Sequence, residues 1–209
     1  MNRIPFRTSA LLAGVLAAAS ALSACAPLIV GGAMLGGTLM ATDRRTSGAQ
    51  VEDQAIELKS LNRVRDLLGE RNHVNATSYN RMVLITGEVH SEADKATVEQ
   101  TVTRVENVRS VVNELEIMGA SSLTSRSNDA IITSKVKATL VDAGDLFATA
   151  FKVVTERGTV YLMGRVTERE ANRASELTRS VGGVQKVVKV FEVISEAELA
   201  ELHSKTPAK

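Results

Sequence analysis

Val83-Leu84-Ile85-Thr86-Gly87-Glu88-Val89 returns later in the chain as Val160-Tyr161-Leu162-Met163-Gly164-Arg165-Val166. Gly87 and Gly164 mark equivalent points of the two copies. A second stretch, Val105-Glu106-Asn107-Val108-Arg109-Ser110-Val111-Val112, returns at nearly the same spacing as Val181-Gly182-Gly183-Val184-Gln185-Lys186-Val187-Val188. A unit of this length exceeds a solenoid repeat and suffices for a small domain. The spacing predicts a tandem of two related domains, residues 50–118 and 127–194, joined by a short polar linker, 119–126.

Both copies show the same order of patterns. An amphipathic helix comes first, with Leu58, Leu61, Val64 and Leu68 on the core face, matched by Ile132, Val136, Leu140 and Ala143. A strand pair follows, Val74–Ser78 with Met82–Val89, then Phe151–Thr155 with Thr159–Val166. Turn residues separate the strands, Tyr79-Asn80-Arg81 and Glu156-Arg157-Gly158. A second helix carries Val98, Thr101, Val102 and Val105, matched by Ala174, Leu177, Thr178 and Val181. Ser110–Ile117 and Lys186–Ile194 supply the last strands. The fold class is α+β: two αββαβ units, each a three-stranded mixed sheet with two helices on one face. Gly87 and Gly164 are expected to be structural, allowing close helix–sheet packing or a bulge. The tail 195–209 predicts a short helix that frays at Pro207.

The N-terminus carries a different signal. Arg3 and Arg7 precede an apolar run, Ala10–Ala19, and then small residues, the parts of a secretory signal peptide over 1–24. Leu22-Ser23-Ala24-Cys25 follows, and Cys25 is the chain's single cysteine. That stretch resembles a lipobox, which in bacterial lipoproteins implies cleavage before the cysteine and its acylation, palmitate included. An ordinary signal peptide with a chance cysteine is the rival. Residues 25–49 form the lipidated cysteine and a flexible leader. Its stretch 26–41 is apolar, rich in glycine and shorter than the roughly 20 residues of a membrane span. Dipping into the membrane interface is the rival reading for that stretch.

Composition narrows the function further. Loss of Arg3 and Arg7 takes the formal charge from +1 to −1, which excludes a generic nucleic-acid binder. With Cys25 acylated no thiol remains, so thiol catalysis, disulfides and cysteine-based metal sites are excluded. His73, His90 and His203 lack ligand spacing, and neither a nucleophile elbow nor a phosphate-binding loop is present. Gly182-Gly183 precedes a strand rather than a helix. Asp142 and Asp145 around Gly144 lack the full calcium-loop pattern and suit a helix-ending loop. The chain is read as a non-enzyme, with no catalytic residue, metal or cofactor.

The Gly-x-Val strand end, the helix after it and the Val-x-x-Val-x-x-Val run resemble the BON domain. Two such domains behind a lipobox resemble the DolP class of outer-membrane lipoproteins. Ala41-Thr42-Asp43-Arg44-Arg45, Gln50-Val51-Glu52-Asp53, Ser127-Asn128-Asp129 and Val166-Thr167-Glu168-Arg169-Glu170-Ala171 are similar to stretches of that class. The resemblance implies an αββαβ fold, a periplasm-facing site at the outer membrane, phospholipid binding and a role in envelope integrity. Ala26, where an inner-membrane lipoprotein would carry Asp, agrees with outer-membrane sorting.

The two domains differ in charge. Residues 50–118 hold 8 basic and 12 acidic residues; residues 127–194 hold 10 and 8. The second domain suits anionic headgroups better. In the first domain's first helix the outer face carries Glu52, Lys59, Arg63 and Asp66, a mixed-charge solvated face. In the second, Ile131, Ser134, Lys135, Ala138 and Val141 fall together away from the core stripe, with Lys137 at the flank. Apolar atoms entering a headgroup layer beside wet ammonium groups make this a candidate lipid-binding face. Packing of Ile131 and Val141 against the first domain or the leader is the competing expectation. Arg165, Arg169, Arg173 and Arg179 are left outside the site. The partners expected are an anionic phospholipid membrane and the acyl chains on Cys25. One alternative is a module docking through exposed edge strands on the outer-membrane protein assembly machinery. Another is a stress-induced periplasmic BON protein.

Overall fold

The computed structural model describes residues 43–69 and 72–204. The signal peptide, Cys25 and the leader stretch 26–41 lie outside the described residues, as does the fraying expected at Pro207. Helix α1 (Ser47–Leu68) leads into strands β1 (His73–Tyr79) and β2 (Met82–Val89), then helix α2 (Glu92–Thr103) and strands β3 (Ser110–Asn113) and β4 (Glu116–Ile117). The second copy runs α3 (Leu123–Asp142), β5 (Phe151–Glu156), β6 (Thr159–Thr167), α4 (Glu168–Arg179) and β7 (Lys186–Ile194). Helix α5 (Glu196–Ser204) follows. In both sheets the second strand is central, antiparallel to the first and parallel to the last. No described helix is long and apolar enough to cross a membrane.

Side-chain alternation on the central strands builds three cores. Val83, Ile85 and Val89 of β2 face α1 and α2, together with Ile56, Val64, Val98 and Val102. Val160, Leu162 and Val166 of β6 face α3 and α4 through Ile132, Val136, Leu140 and Ala174. The alternate residues form a core of their own: Tyr79 and Leu84 of the first sheet meet Tyr161, Met163 and Val190 of the second. The sheets thus pack face to face, each with helices on its outer side. A strand covered on both faces reads as a short continuous apolar run, which is how Val83–Ile85 and Val160–Met163 read.

Both hairpins are two-residue turns with left-handed backbone: Asn80 and Arg81 (φ 50 and 68), Arg157 and Gly158 (φ 47 and 74). Three of the four are not glycine, so an outside anchor is needed. It comes from one aspartate on each first helix. Asp53 accepts from Asn80 N (2.8 Å), Arg81 N (2.8 Å) and the Ser78 hydroxyl (2.6 Å). Asp129, its counterpart in the second copy, accepts from Arg157 N (2.9 Å) and Gly158 N (2.8 Å).

Several sequence expectations change. Leu58 is not a core residue but 64% exposed. The inward face of α1 runs Asp53–Ile56–Ser60–Val64, because the Asp53 bonds to the turn fix the helix rotation. The strand expected over Ser110–Ile117 splits into β3 and β4 around buried Leu115. Helix α3 starts at Leu123, inside the stretch read as linker, because Ser122 caps it by accepting from Ser125 N (3.1 Å). Gly87 meets the backbone of β1 and Gly164 the end of a short 3-10 turn, Ala148–Ala150, just ahead of β5: an added Cβ would lie 2.0 Å from His73 O or 2.5 Å from Ala150 O. Glu52 and Arg63 of α1 are also half-buried, bonded to Asn107 and to Arg104 O rather than simply solvated.

Candidate functional site

Helix α3 turns Ile132, Val136 and Leu140 into the core, and among the described residues nothing covers its opposite face. Ile131 is 54% and Val141 66% exposed, and Ser134, Lys135, Lys137 and Ala138 are exposed beside them. All six residues expected on the lipid-facing stripe therefore share one surface, and the first domain covers neither Ile131 nor Val141. Leu123, 79% exposed, lies on the same face and was hidden by the polar stretch around it. From Leu123 to Val141 the stripe runs about 27 Å along the helix. The only acidic residues of α3 are Asp129, turned inward to the hairpin, and Asp142 at its end. The exposed apolar side chains are thus flanked by ammonium groups without an interleaved carboxylate.

The neighbouring arginines are differently employed. Arg165 pairs with Glu192 (3.4 Å), Arg169 with Glu196 (3.9 Å) and Arg173 with Asp145 (3.0 Å). Asp145 is thereby engaged, and Gly144 (φ 64) turns the chain out of α3.

A second cluster lies between the domains. His73, Glu88 and Glu156 bring one potential metal ligand each within 4.8 Å of one another. Protein groups already satisfy them. Glu88 Oε1 accepts from Arg157 Nε (2.6 Å), and its Oε2 accepts from Ser121 N (3.1 Å) and lies 2.9 Å from His73 Nδ1. Glu156 Oε2 accepts from Asn75 (3.2 Å). With the Arg157 guanidinium already on Glu88, this is an interdomain ion cluster. Further bonds across the seam run from Lys152 to Glu57 (2.6 Å) and from Asn80 and Arg109 to Glu192 (2.7 and 2.8 Å).

These contacts set a pH dependence. Burial alone would raise Asp53, Glu88, Glu170 and Glu192. Hydrogen bonds from Ser78 and Arg81, from Arg157, from Arg44, and from Asn80 and Arg109 respectively outweigh it and hold all four below the usual carboxylate range. Their stabilisation is complete above about pH 4, the unfolded value, and is lost as pH falls through the lower folded values. Glu156 runs the other way. Burial raises it, and the Glu88 and Asp129 carboxylates add to this. Its ionisation opposes folding, and that penalty appears as pH rises through its raised folded value. Calorimetric melting temperature is expected to fall steeply below about pH 4. Glu156→Gln is expected to raise it at pH 7 and leave it unchanged at pH 3. A flat acid limb would contradict this assignment.

Residues 53–119 and 128–195 each match the family profile of the BON domain. The chain belongs to the BON-domain family. The outer membrane lipoprotein DolP of Haemophilus influenzae is 36% identical over 196 residues, covering 93% of this chain and 100% of that protein. A 21 kDa hemolysin of Actinobacillus pleuropneumoniae is 31% identical over 73% of this chain and 79% of its own. The osmotically-inducible protein Y of Escherichia coli is 28% identical over 67% of this chain and 72% of its own. Within the family this is therefore a dual-BON protein of the DolP class, a lipid-anchored outer-membrane lipoprotein. Its domains are BON1 and BON2 below. Family membership points to a non-enzymatic protein.

Proposed function

We propose that BON2 binds anionic phospholipid through the outer face of α3, and that this contact lets an acyl-anchored protein support outer-membrane integrity. Cys25 is the acylated residue in this reading, released as the new N-terminus by cleavage after Ala24. The observation that carries the proposal is the open stripe of Ile131, Ser134, Ala138 and Val141 beside Lys135 and Lys137, on the opposite side of α3 from its core residues. Each lysine near an anionic surface contributes on the order of 1 kcal/mol, and part-burial of Ile131 adds to it. Such binding is weak and salt-sensitive, suited to orienting a protein already held by acyl chains.

The test is vesicle co-sedimentation of Ile131→Glu with Lys135→Glu. Both positions are exposed, so the fold is expected to survive. Binding to anionic vesicles is expected to weaken about tenfold or more. Unchanged binding would remove this face from consideration. Loss of palmitate labelling in Cys25→Ala checks the acylation site. Resistance of complemented cells to antibiotics excluded by an intact outer membrane checks the integrity role.

A further inference from the structure

Two consecutive residues ahead of α1 are held by different domains. Arg44 is 9% exposed and grips BON2. Its guanidinium donates to both oxygens of Glu170 (2.8 and 2.7 Å) and to Arg165 O (2.9 Å), and stands 5.9 Å from the Phe147 ring centroid. Arg45 grips BON1. It donates to Asp53 (2.8 Å), pairs with Asp43 (2.7 Å) and lies 4.3 Å from the Tyr79 ring centroid. Glu170 meanwhile closes the capping box of α4 by accepting from Thr167 N (3.0 Å).

An exposed pair of this kind would contribute little. Here the side chains of Arg44 and Glu170 are 4% and 2% exposed, so loss of either partner strands a buried charge. The partners are 126 positions apart in sequence, so nothing local brings them together.

We propose that Asp43–Arg45 is a clasp that fastens the lipid-anchored N-terminal segment to BON2 as well as to BON1, with which it is covalently continuous. The clasp itself rests on the lipid anchor and not on headgroup binding by α3. Its consequence for α3 rests on the reading above. Phe147 follows the end of α3 by five residues, at most about 17 Å of chain. The chain that leads to the anchor is thus fastened at Arg44 near the Val141 end of the helix, so that acyl chains and helix act on one bilayer as linked sites that reinforce each other.

The sequence supplies its own reporter. Between Cys25 and α1 the only basic residues are Arg44 and Arg45. Trypsin acting on the lipidated chain on neutral phosphatidylcholine vesicles releases a body beginning at Arg45 or Thr46 only by cutting there. Neutral vesicles keep the result independent of anionic-lipid binding. The wild type is expected to resist release. Glu170→Gln, which keeps a capping-box side chain, is expected to release about tenfold faster or more, as local opening controls the cut. Arg44→Lys, lacking the bidentate fork, falls between. Glu192→Gln, a seam carboxylate with no contact to Arg44, is expected to match the wild type. Wild-type release as fast as cleavage of a free peptide spanning residues 36–50 would overturn the clasp, without reliance on any variant's folding. Unchanged release in folded Glu170→Gln would do the same.

Discussion

Gly87→Ala is expected to lower the stability of the protein by about 3 kcal/mol or more, the largest loss expected from an added methyl group at any of the described glycines. Two separate costs meet at this position. The backbone has φ +112, a conformation that L side chains rarely adopt, in the central strand of BON1. The new Cβ would also lie 2.0 Å from His73 O and 3.3 Å from Val74 Cα, both backbone atoms of the neighbouring strand. Neither can swing aside without breaking the β1–β2 ladder. For a protein of this size the loss corresponds to a fall in melting temperature of about 6–12 °C. Gly164→Ala meets Ala150 O at 2.5 Å without a left-handed φ, so a smaller fall is expected. Gly144→Ala has the left-handed φ (+64) with nothing within 4 Å, and its fall is expected to be the smallest. Thermal melts of the three variants check the order. Equal losses at all three sites would contradict the backbone-contact account.

Asp53→Ala is expected to cost about 3–5 kcal/mol, the cost of breaking a buried charged group from its partners. The carboxylate is 2% exposed and accepts from Ser78 Oγ, Asn80 N, Arg81 N and the Arg45 guanidinium. Its removal leaves those donors short of a partner and frees a left-handed turn made of two residues with side chains. Asp53→Asn keeps one good acceptor oxygen and is expected to fall between alanine and wild type. Asp129→Ala removes the matching clamp from BON2, but there one of the two turn residues is Gly158, which adopts positive φ without steric cost. Its loss is expected to be smaller. Denaturant titration of the three variants decides this. A loss at Asp129 as large as that at Asp53 would show that the turn residues do not set the difference.

The repeat and the strand–turn–strand pattern make both units legible in the sequence, since short turns between apolar runs leave little choice of partner. The turns read there as Tyr79-Asn80-Arg81 and Glu156-Arg157-Gly158 are one residue shorter, because Tyr79 and Glu156 pair within the strands. The outer face of α3 was legible for a related reason: Ile132, Val136 and Leu140 hold a 3.6-residue period that fixes the opposite face. Leu123 was missed because its serine-rich surroundings resemble a linker, although one of those serines is the helix cap. Leu58 was misplaced because apolar spacing alone favours it, while the rotation of α1 is set by a polar residue, Asp53. Asp53 and Asp129 were invisible because an aspartate early in a helix ordinarily faces water or the helix dipole. Their inward role depends on a turn distant in sequence, beyond the end of the helix and the first strand. The seam was hidden for a different reason. The short apolar runs Val83–Ile85 of β2 and Val160–Met163 of β6 call for a cover on both faces, but nothing in a single strand says that the cover is the other copy of the same domain.

The central claim is that α3 recognises anionic lipid without help from the acyl anchor. Co-sedimentation of the unacylated mature chain, residues 26–209, with neutral and with anionic phospholipid vesicles at low and high salt tests it most directly. Binding to anionic vesicles alone, weakened by salt, is the predicted result. Equal absence of binding to both would contradict the claim, leaving the lipid anchor as the whole of the membrane attachment and the two BON domains as modules for protein partners.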